Sequence, residues 1–196
     1  MYKTDAAKMA RHASRSPAGL TDLITFALLT IQQPLQTVER QFADVREHGA
    51  ASKYLFGSKR EGFAYAVEHA DMLHAALMSA IATDDIVGAI DLIALVPGLG
   101  TVKSAFVCQM AGLNIGCLDR HNLARLGLKE DAFKLPKTLL PETRRAKIAE
   151  YVRYTQSICN AEAWWNDWCS IVAGRRGSPL KTAQAVSRFH CQAIGL

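Results

Sequence analysis

The segment Ala94-Leu95-Val96-Pro97-Gly98-Leu99-Gly100-Thr101 constrains the fold more than any other. It sets a four-residue turn between two apolar runs of helical spacing. Pro97 cannot continue a helical hydrogen-bond ladder, so the first run must stop there. Gly98 and Gly100 permit positive φ, where a side chain would be strained, and they let another group approach the backbone closely. The second run begins at Thr101. Its first amide N–H groups have no intrahelical acceptor and point outward, which suits an anion such as a phosphate. Ser104 and Ala105 are small and allow the two helices to pack closely. The same turn also serves an αα-hairpin that binds nothing.

The rest of the chain reads as helix as well. Apolar residues recur at helical spacing over Leu20–Leu29 and Glu61–Ala82. Pro34–His48 has Pro34 at a plausible first helical position and Leu35, Val38, Phe42 and Val45 on one face. Thr83-Asp84-Asp85 is a start signal for a helix running through Leu95. Further helices are expected at Thr101–Gly112, from Asp119, at Thr143–Asn160, at Ala161–Val172 and over residues 180–191. Lys129–Glu142 contains two prolines and reads as a linker. Residues 174–179 read as a basic loop. No β alternation, internal repeat or low-complexity tract stands out.

The 196 residues suit one domain, and 49% apolar content is enough for a core without staples. No membrane-spanning stretch and no secretory leader is evident. The five cysteines are odd in number, widely spaced and lack a C-x-x-C pair, which argues against a disulfide framework or a zinc ribbon and for reduced thiols in a cytosol. The net charge of +5 is unevenly placed. Residues 1–128 hold twelve Lys/Arg and twelve Asp/Glu, whereas residues 129–196 hold eleven and six. A basic final third suits a polyanion, or merely a solvated surface.

A single acid, Asp119, follows the hairpin in Leu118-Asp119-Arg120-His121. Val96-Pro97-Gly98-Leu99-Gly100 and this later segment together resemble the helix-hairpin-helix (HhH-GPD) DNA glycosylase superfamily. There a hairpin of the form L-P-G-V-G-x-K-T-A is followed by V-D-x-H at a helix start. Leu28-Leu29-Thr30-Ile31-Gln32-Gln33 is similar to the early family helix ending in glutamine, and Lys59–Leu77 stands where a further family helix lies. The resemblance covers residues 20–128. It implies an all-α fold, two helical lobes around a cleft, with residues 1–128 as the core, the hairpin at 86–112, and residues 129–196 as a basic, Trp-containing lobe packed on the same domain.

The resemblance also implies that the chain acts on a base in double-stranded DNA. Asp119 falls on the catalytic aspartate. Gly98, Leu99, Gly100, Thr101, Val102 and Lys103 fall on the phosphate-gripping hairpin, and Gln32 or Gln33 on the wedge that enters the space left by a flipped base. His121 suits a structural role or a phosphate contact, and Arg175 and Arg176 suit phosphates or solvent. Trp164, Trp165 and Trp168 are read mainly as core, one of them a candidate to stack on a base. A carboxylate fits glycosidic cleavage, because the departing base leaves positive charge on the sugar.

Two departures narrow the reading. Bifunctional members carry a lysine where this chain has Val102. Lys103 is one residue on, about 100° around the helix, and is expected to point elsewhere. That favours a one-step, monofunctional N-glycosylase. The four closely spaced cysteines of the iron–sulfur branch are missing, so no cluster and no other cofactor is expected, though a hairpin of this kind has room for a monovalent cation. Two alternatives stay open. One is a transferase that displaces diphosphate from an activated 5-hydroxymethyl pyrimidine in DNA with an amine or amino acid, as thought for some virus-encoded relatives. The other is a non-catalytic DNA-binding module in which Asp119 is an N-cap. The location implied is the cytoplasm, at the nucleoid or in a host cell, and the target base and oligomeric state stay undetermined.

Overall fold

The computed structural model describes residues 2–136, 139–175 and 178–196, with side chains from residue 5 onward. Among the described residues there are eleven α-helices and no strand. They are α1 (Tyr2–Arg15), α2 (Pro17–Leu29), α3 (Val38–His48), α4 (Ser58–Glu68), α5 (Ala70–Ala82), α6 (Ile86–Ile93), α7 (Thr101–Met110), α8 (Arg120–Arg125), α9 (Pro141–Ile158), α10 (Ala161–Gly174) and α11 (Ala183–Ala193). None is long and apolar enough to cross a membrane.

Helix α2 is the central strut. Ser16 caps it, its hydroxyl accepting from Gly19 N at 3.1 Å, and Pro17 occupies the first turn where its missing N–H costs nothing. Leu20, Leu23, Ile24, Phe26, Ala27, Leu28 and Leu29 are all buried, so the helix is apolar around most of its circumference. It packs against α1, α3, α4, α5 and α7. Helix α11 joins α10, α1 and α3, while α9 lies on α6. The C-terminal third therefore shares its packing with the first helices of the chain. The contact is also polar: Ser187 donates to Asp5 Oδ2 at 2.9 Å, and Arg46 binds both Asp22 Oδ2 at 2.8 Å and Ile194 O at 2.9 Å.

Several boundaries differ from the sequence reading. The single helix expected over Glu61–Ala82 is two, broken at His69, whose φ of −107° and ψ of 19° leave the helical region. Pro34 precedes a 3-10 turn (Leu35–Thr37) rather than opening α3 itself. Helix α6 ends at Ile93, two residues before Leu95. Helix α1 was not anticipated at all, because its buried face is carried by little more than Met9 and Ala13. Four of the five cysteines are buried, and all five are free.

Candidate functional site

The hairpin forms between α6 and α7. Asp85 caps α6 by accepting from Gly88 N at 2.8 Å. Leu99 N donates back to Val96 O at 3.1 Å and closes the turn, with Leu99 itself buried beneath it. Gly98 has a φ of +84°, as expected for a residue that needs the left-handed region. Gly100 does not: its φ of −98° and ψ of 178° are extended backbone open to any residue. What its lack of a side chain leaves is open space, since a Cβ there would meet no protein atom within 4 Å. Helix α4 buttresses the turn, and a Cβ at Gly62 would overlap the Pro97 carbonyl. Among the described residues the amides of Gly100, Thr101, Val102 and Lys103 have no protein acceptor. The Thr101 side chain is buried.

The acid arrives at the end of an irregular segment, Leu113–Leu118, whose residues other than Asn114 are buried. Tyr151, on α9, holds it in place. The Tyr151 hydroxyl donates to Gly116 O at 2.8 Å and accepts from Leu118 N at 2.9 Å. Burial pushes this phenol well above its ordinary range, so it stays protonated and able to donate. Gly116 lies under the Trp164 ring, and a Cβ would stand 2.6 Å from three ring atoms. Asp119 then caps α8. Its Oδ1 accepts from His121 N at 3.0 Å and Asn122 N at 3.1 Å, and its Oδ2 accepts from the Trp168 indole N–H at 2.7 Å. Three donors converge on one carboxylate, and charge-assisted bonds of this kind are the stronger ones.

Part of the hairpin and the acid line one cavity of about 920 Å³. Of the residues singled out in the sequence, Gly98, Val102, Lys103, Asp119, His121, Gln32, Gln33 and Arg175 line it. Leu99, Gly100 and Thr101 do not, and Arg176 lies outside the described residues. The expectation that Lys103 points away is corrected: both Val102 and Lys103 face the cavity, because the long lysine stem reaches across to Thr30 Oγ1 at 3.0 Å. Lys59 Nζ donates to Ile31 O at 2.9 Å. Two lysines thus fasten the loop that carries Gln32 and Gln33. Burial, and then the neighbouring Lys103, pull Lys59 below its ordinary range. Gln32 is held at a φ of +56°, a strained conformation for a residue with a side chain. Gln33 Oε1 accepts from Gln41 Nε2 at 3.3 Å.

The remaining walls carry residues that the sequence reading missed or placed elsewhere. Trp164 and Trp165 are buried, while Trp168 is half-buried and lines the cavity. Trp165 and Trp168 stack with ring centroids 5.4 Å apart. His190 sits edge-on to both, at 4.8 and 5.3 Å. It is fully buried, and burial lowers its pKa to about 4. His121 is also lowered, chiefly by burial, with Asp119 opposing and Arg175, Arg120 and Lys103 assisting. Arg175 Nη1 lies 3.3 Å from His121 Nε2. An arginine only donates, so the imidazole accepts there and is neutral. No local signal announces these contacts; the tryptophans, His121 and Arg175 are candidates in the sequence, and His190 is not.

Compared with protein families, curated proteins and solved structures, the chain shows no match.

Proposed function

We propose that the chain acts on a base in double-stranded DNA, as a monofunctional N-glycosylase of the HhH-GPD type, with its two groups of helices forming the walls of a cleft. One observation carries this reading: Gly98 of the turn, Val102 and Lys103 at the start of α7, and Asp119 line the same cavity. The free amides at the start of α7 grip a phosphate of the strand. The nucleotide beside it turns out of the stack, at a cost of a few kcal/mol, and its base enters the cavity. At about 920 Å³ the cavity lies at the upper end of the usual range for small-molecule sites, roughly 300–1,000 Å³. Gln32, on its strained backbone, stands at the rim to fill the gap left in the duplex.

Asp119 then faces the sugar carbon. As the C–N bond breaks, the electron pair leaves with the base and positive charge builds on the sugar. The carboxylate stabilises that charge, and water attacks the same carbon, its proton ending on the departed base, to complete hydrolysis. Because three donors fix both oxygens, Asp119 works first as a preorganised negative charge. To take a proton from water, Oδ2 must release Trp168. The basic groups on the rim, Lys103 and Arg175, add phosphate contacts.

A second reading is favoured by the cations themselves. Lys103 and Arg175 line one cavity beside Val102 at the start of α7, and such a lining suits a diphosphate leaving group. In that reaction an amine nitrogen bonds to the 5-methylene carbon of a pyrimidine, the carbon–oxygen bond to diphosphate breaks, and the amine gives up its proton. One experiment separates the two. Duplexes carrying individual lesions and activated 5-hydroxymethyl pyrimidines are incubated with the protein, and nucleosides are read by mass. The first reading predicts free base and abasic sites; the second predicts a mass gain with diphosphate released. Neither product from any duplex refutes both.

A further inference from the structure

Two buried side chains on the cavity wall each keep an acceptor that the protein does not use. His190, on α11, is 1% exposed and lines the cavity. Its Nδ1 lies 2.8 Å from Val186 O. A carbonyl only accepts, so Nδ1 carries the proton and Nε2 presents a lone pair. No donor among the described residues reaches that Nε2. Asn122, on α8, is likewise 1% exposed and lines the cavity. Its Nδ2 donates to Cys117 O at 2.7 Å, which fixes the orientation of the amide, and its Oδ1 is buried with no partner among the described residues. Leaving a buried acceptor such as Asn122 Oδ1 unused is costly, and native structures satisfy the great majority of them; His190 Nε2 is not fully enclosed in the same way and is reached from the cavity. Trp168 belongs to the same wall. One face of its ring is covered by Trp165, and His190 stands perpendicular to both rings.

We propose that this wall is a base-reading subsite: it takes a flat heteroaromatic base that presents N–H donors, with His190 Nε2 as the reading acceptor, Asn122 Oδ1 as a second, and Trp168 as the stacking surface. The proposal rests on the reading that the cavity receives a base. Acceptors discriminate by repulsion as well as attraction. A carbonyl oxygen or an N-methyl group turned toward His190 leaves its lone pair unpaired or blocked, whereas an N–H satisfies it. Burial keeps the imidazole neutral, with a pKa of about 4, and nearby Lys103 acts in the same direction, so the acceptor persists through the neutral range. Two kinds of base offer the required N–H: those with a ring imide, as in uracil, and those with an exocyclic amine, as in adenine.

The test is saturation-transfer NMR on the full chain with 1-methyluracil and 9-methyladenine, in which the nitrogen that carries the sugar in DNA has no hydrogen, each paired with its further methylated counterpart, 1,3-dimethyluracil and N6,N6,9-trimethyladenine. At least one parent base is expected to bind, with its further methylated form about fivefold weaker or more, the loss of one hydrogen bond. Which parent binds assigns imide or amine. His190→Gln, which keeps an acceptor, retains the preference, and His190→Phe, which keeps only the ring shape, abolishes it. The further methylated bases put the question to the wild-type chain, so the result does not depend on the folding of a core variant. Equal binding of parent and further methylated bases, or no binding by any of the four, overturns the proposal. The outcome is separable from the proposed function. Selective base binding by a chain that changes no DNA duplex removes the reaction and leaves the subsite; base release from DNA without discrimination against the further methylated bases removes the subsite and leaves the reaction.

Discussion

Acidification tests the buried state of His190 directly, without knowledge of any substrate. In the folded chain this imidazole has a pKa of about 4, against an ordinary value of 6.5. The folded pKa is depressed, so the unfolded chain binds more protons between those values, and stability rises with pH there. The contribution is therefore complete above about pH 6.5 and is lost as pH falls toward 4. Between pH 7 and pH 5 the loss from this one group is about 2 kcal/mol. For a chain of this size that corresponds to a fall in Tm of about 4–8 °C. Other groups titrate over the same interval, so the measurement is a difference. Urea unfolding of the wild type and of His190→Gln is followed at pH 7 and at pH 5. Glutamine does not titrate, so the wild type is expected to lose about 2 kcal/mol more than the variant across the interval. Equal losses in the two proteins refute the assignment of His190 as a buried neutral imidazole.

Three substitutions probe the scaffold that holds the acid. Tyr151→Phe removes the hydroxyl that bonds Gly116 O and Leu118 N, leaving two buried backbone groups unpaired, and a loss of about 2–3 kcal/mol in urea unfolding is expected. Gly116→Ala drives a methyl group into the Trp164 ring, whose indole N–H is anchored to Thr155 O at 3.1 Å, so a destabilisation of about 1–3 kcal/mol is expected by the same assay. Trp168→Phe keeps an aromatic ring but takes the indole N–H from Asp119 Oδ2; thermal unfolding should show a loss of about 1.5 kcal/mol, and an unchanged Tm would mean that the bond contributes nothing.

The parts of this molecule that were legible in the sequence are those written locally. Pro97 and Gly98 act on their own neighbours, so the α6–α7 turn follows from the residues themselves, as does the helix start at Asp119. Gly100 shows the limit of the same logic: a glycine permits positive φ but does not require it, and here the start of α7 draws it into extended backbone. The break at His69 was hidden because α4 and α5 both carry apolar residues at helical spacing on either side of it. The site itself depends on contacts that no local pattern encodes. Trp168 meets Asp119 across 49 positions, and Arg175 meets His121 across 54. Lys103 was placed by helical angle alone, which ignores how far a four-carbon stem can reach. His190 carries no motif, and its role emerges only when α11 folds back against α10, α1 and α3, which brings it beside Phe26, Trp165 and Trp168.

In the proposed function, the hairpin holds the DNA backbone while Asp119 acts on the nucleotide beside it. This assignment is tested most directly by single-turnover base release, on whichever modified duplex the wild type processes, with Asp119→Asn alongside and duplex binding measured for both. Asparagine caps a helix about as well as aspartate and its oxygen can keep both backbone N–H bonds, whereas its amide nitrogen cannot accept from the Trp168 indole; thermal unfolding therefore accompanies the comparison, and the variant should still fold and bind duplex as the wild type does. With the charge gone, release should slow by on the order of 100-fold or more. An Asp119→Asn protein that binds duplex and releases base at the wild-type rate would contradict the account.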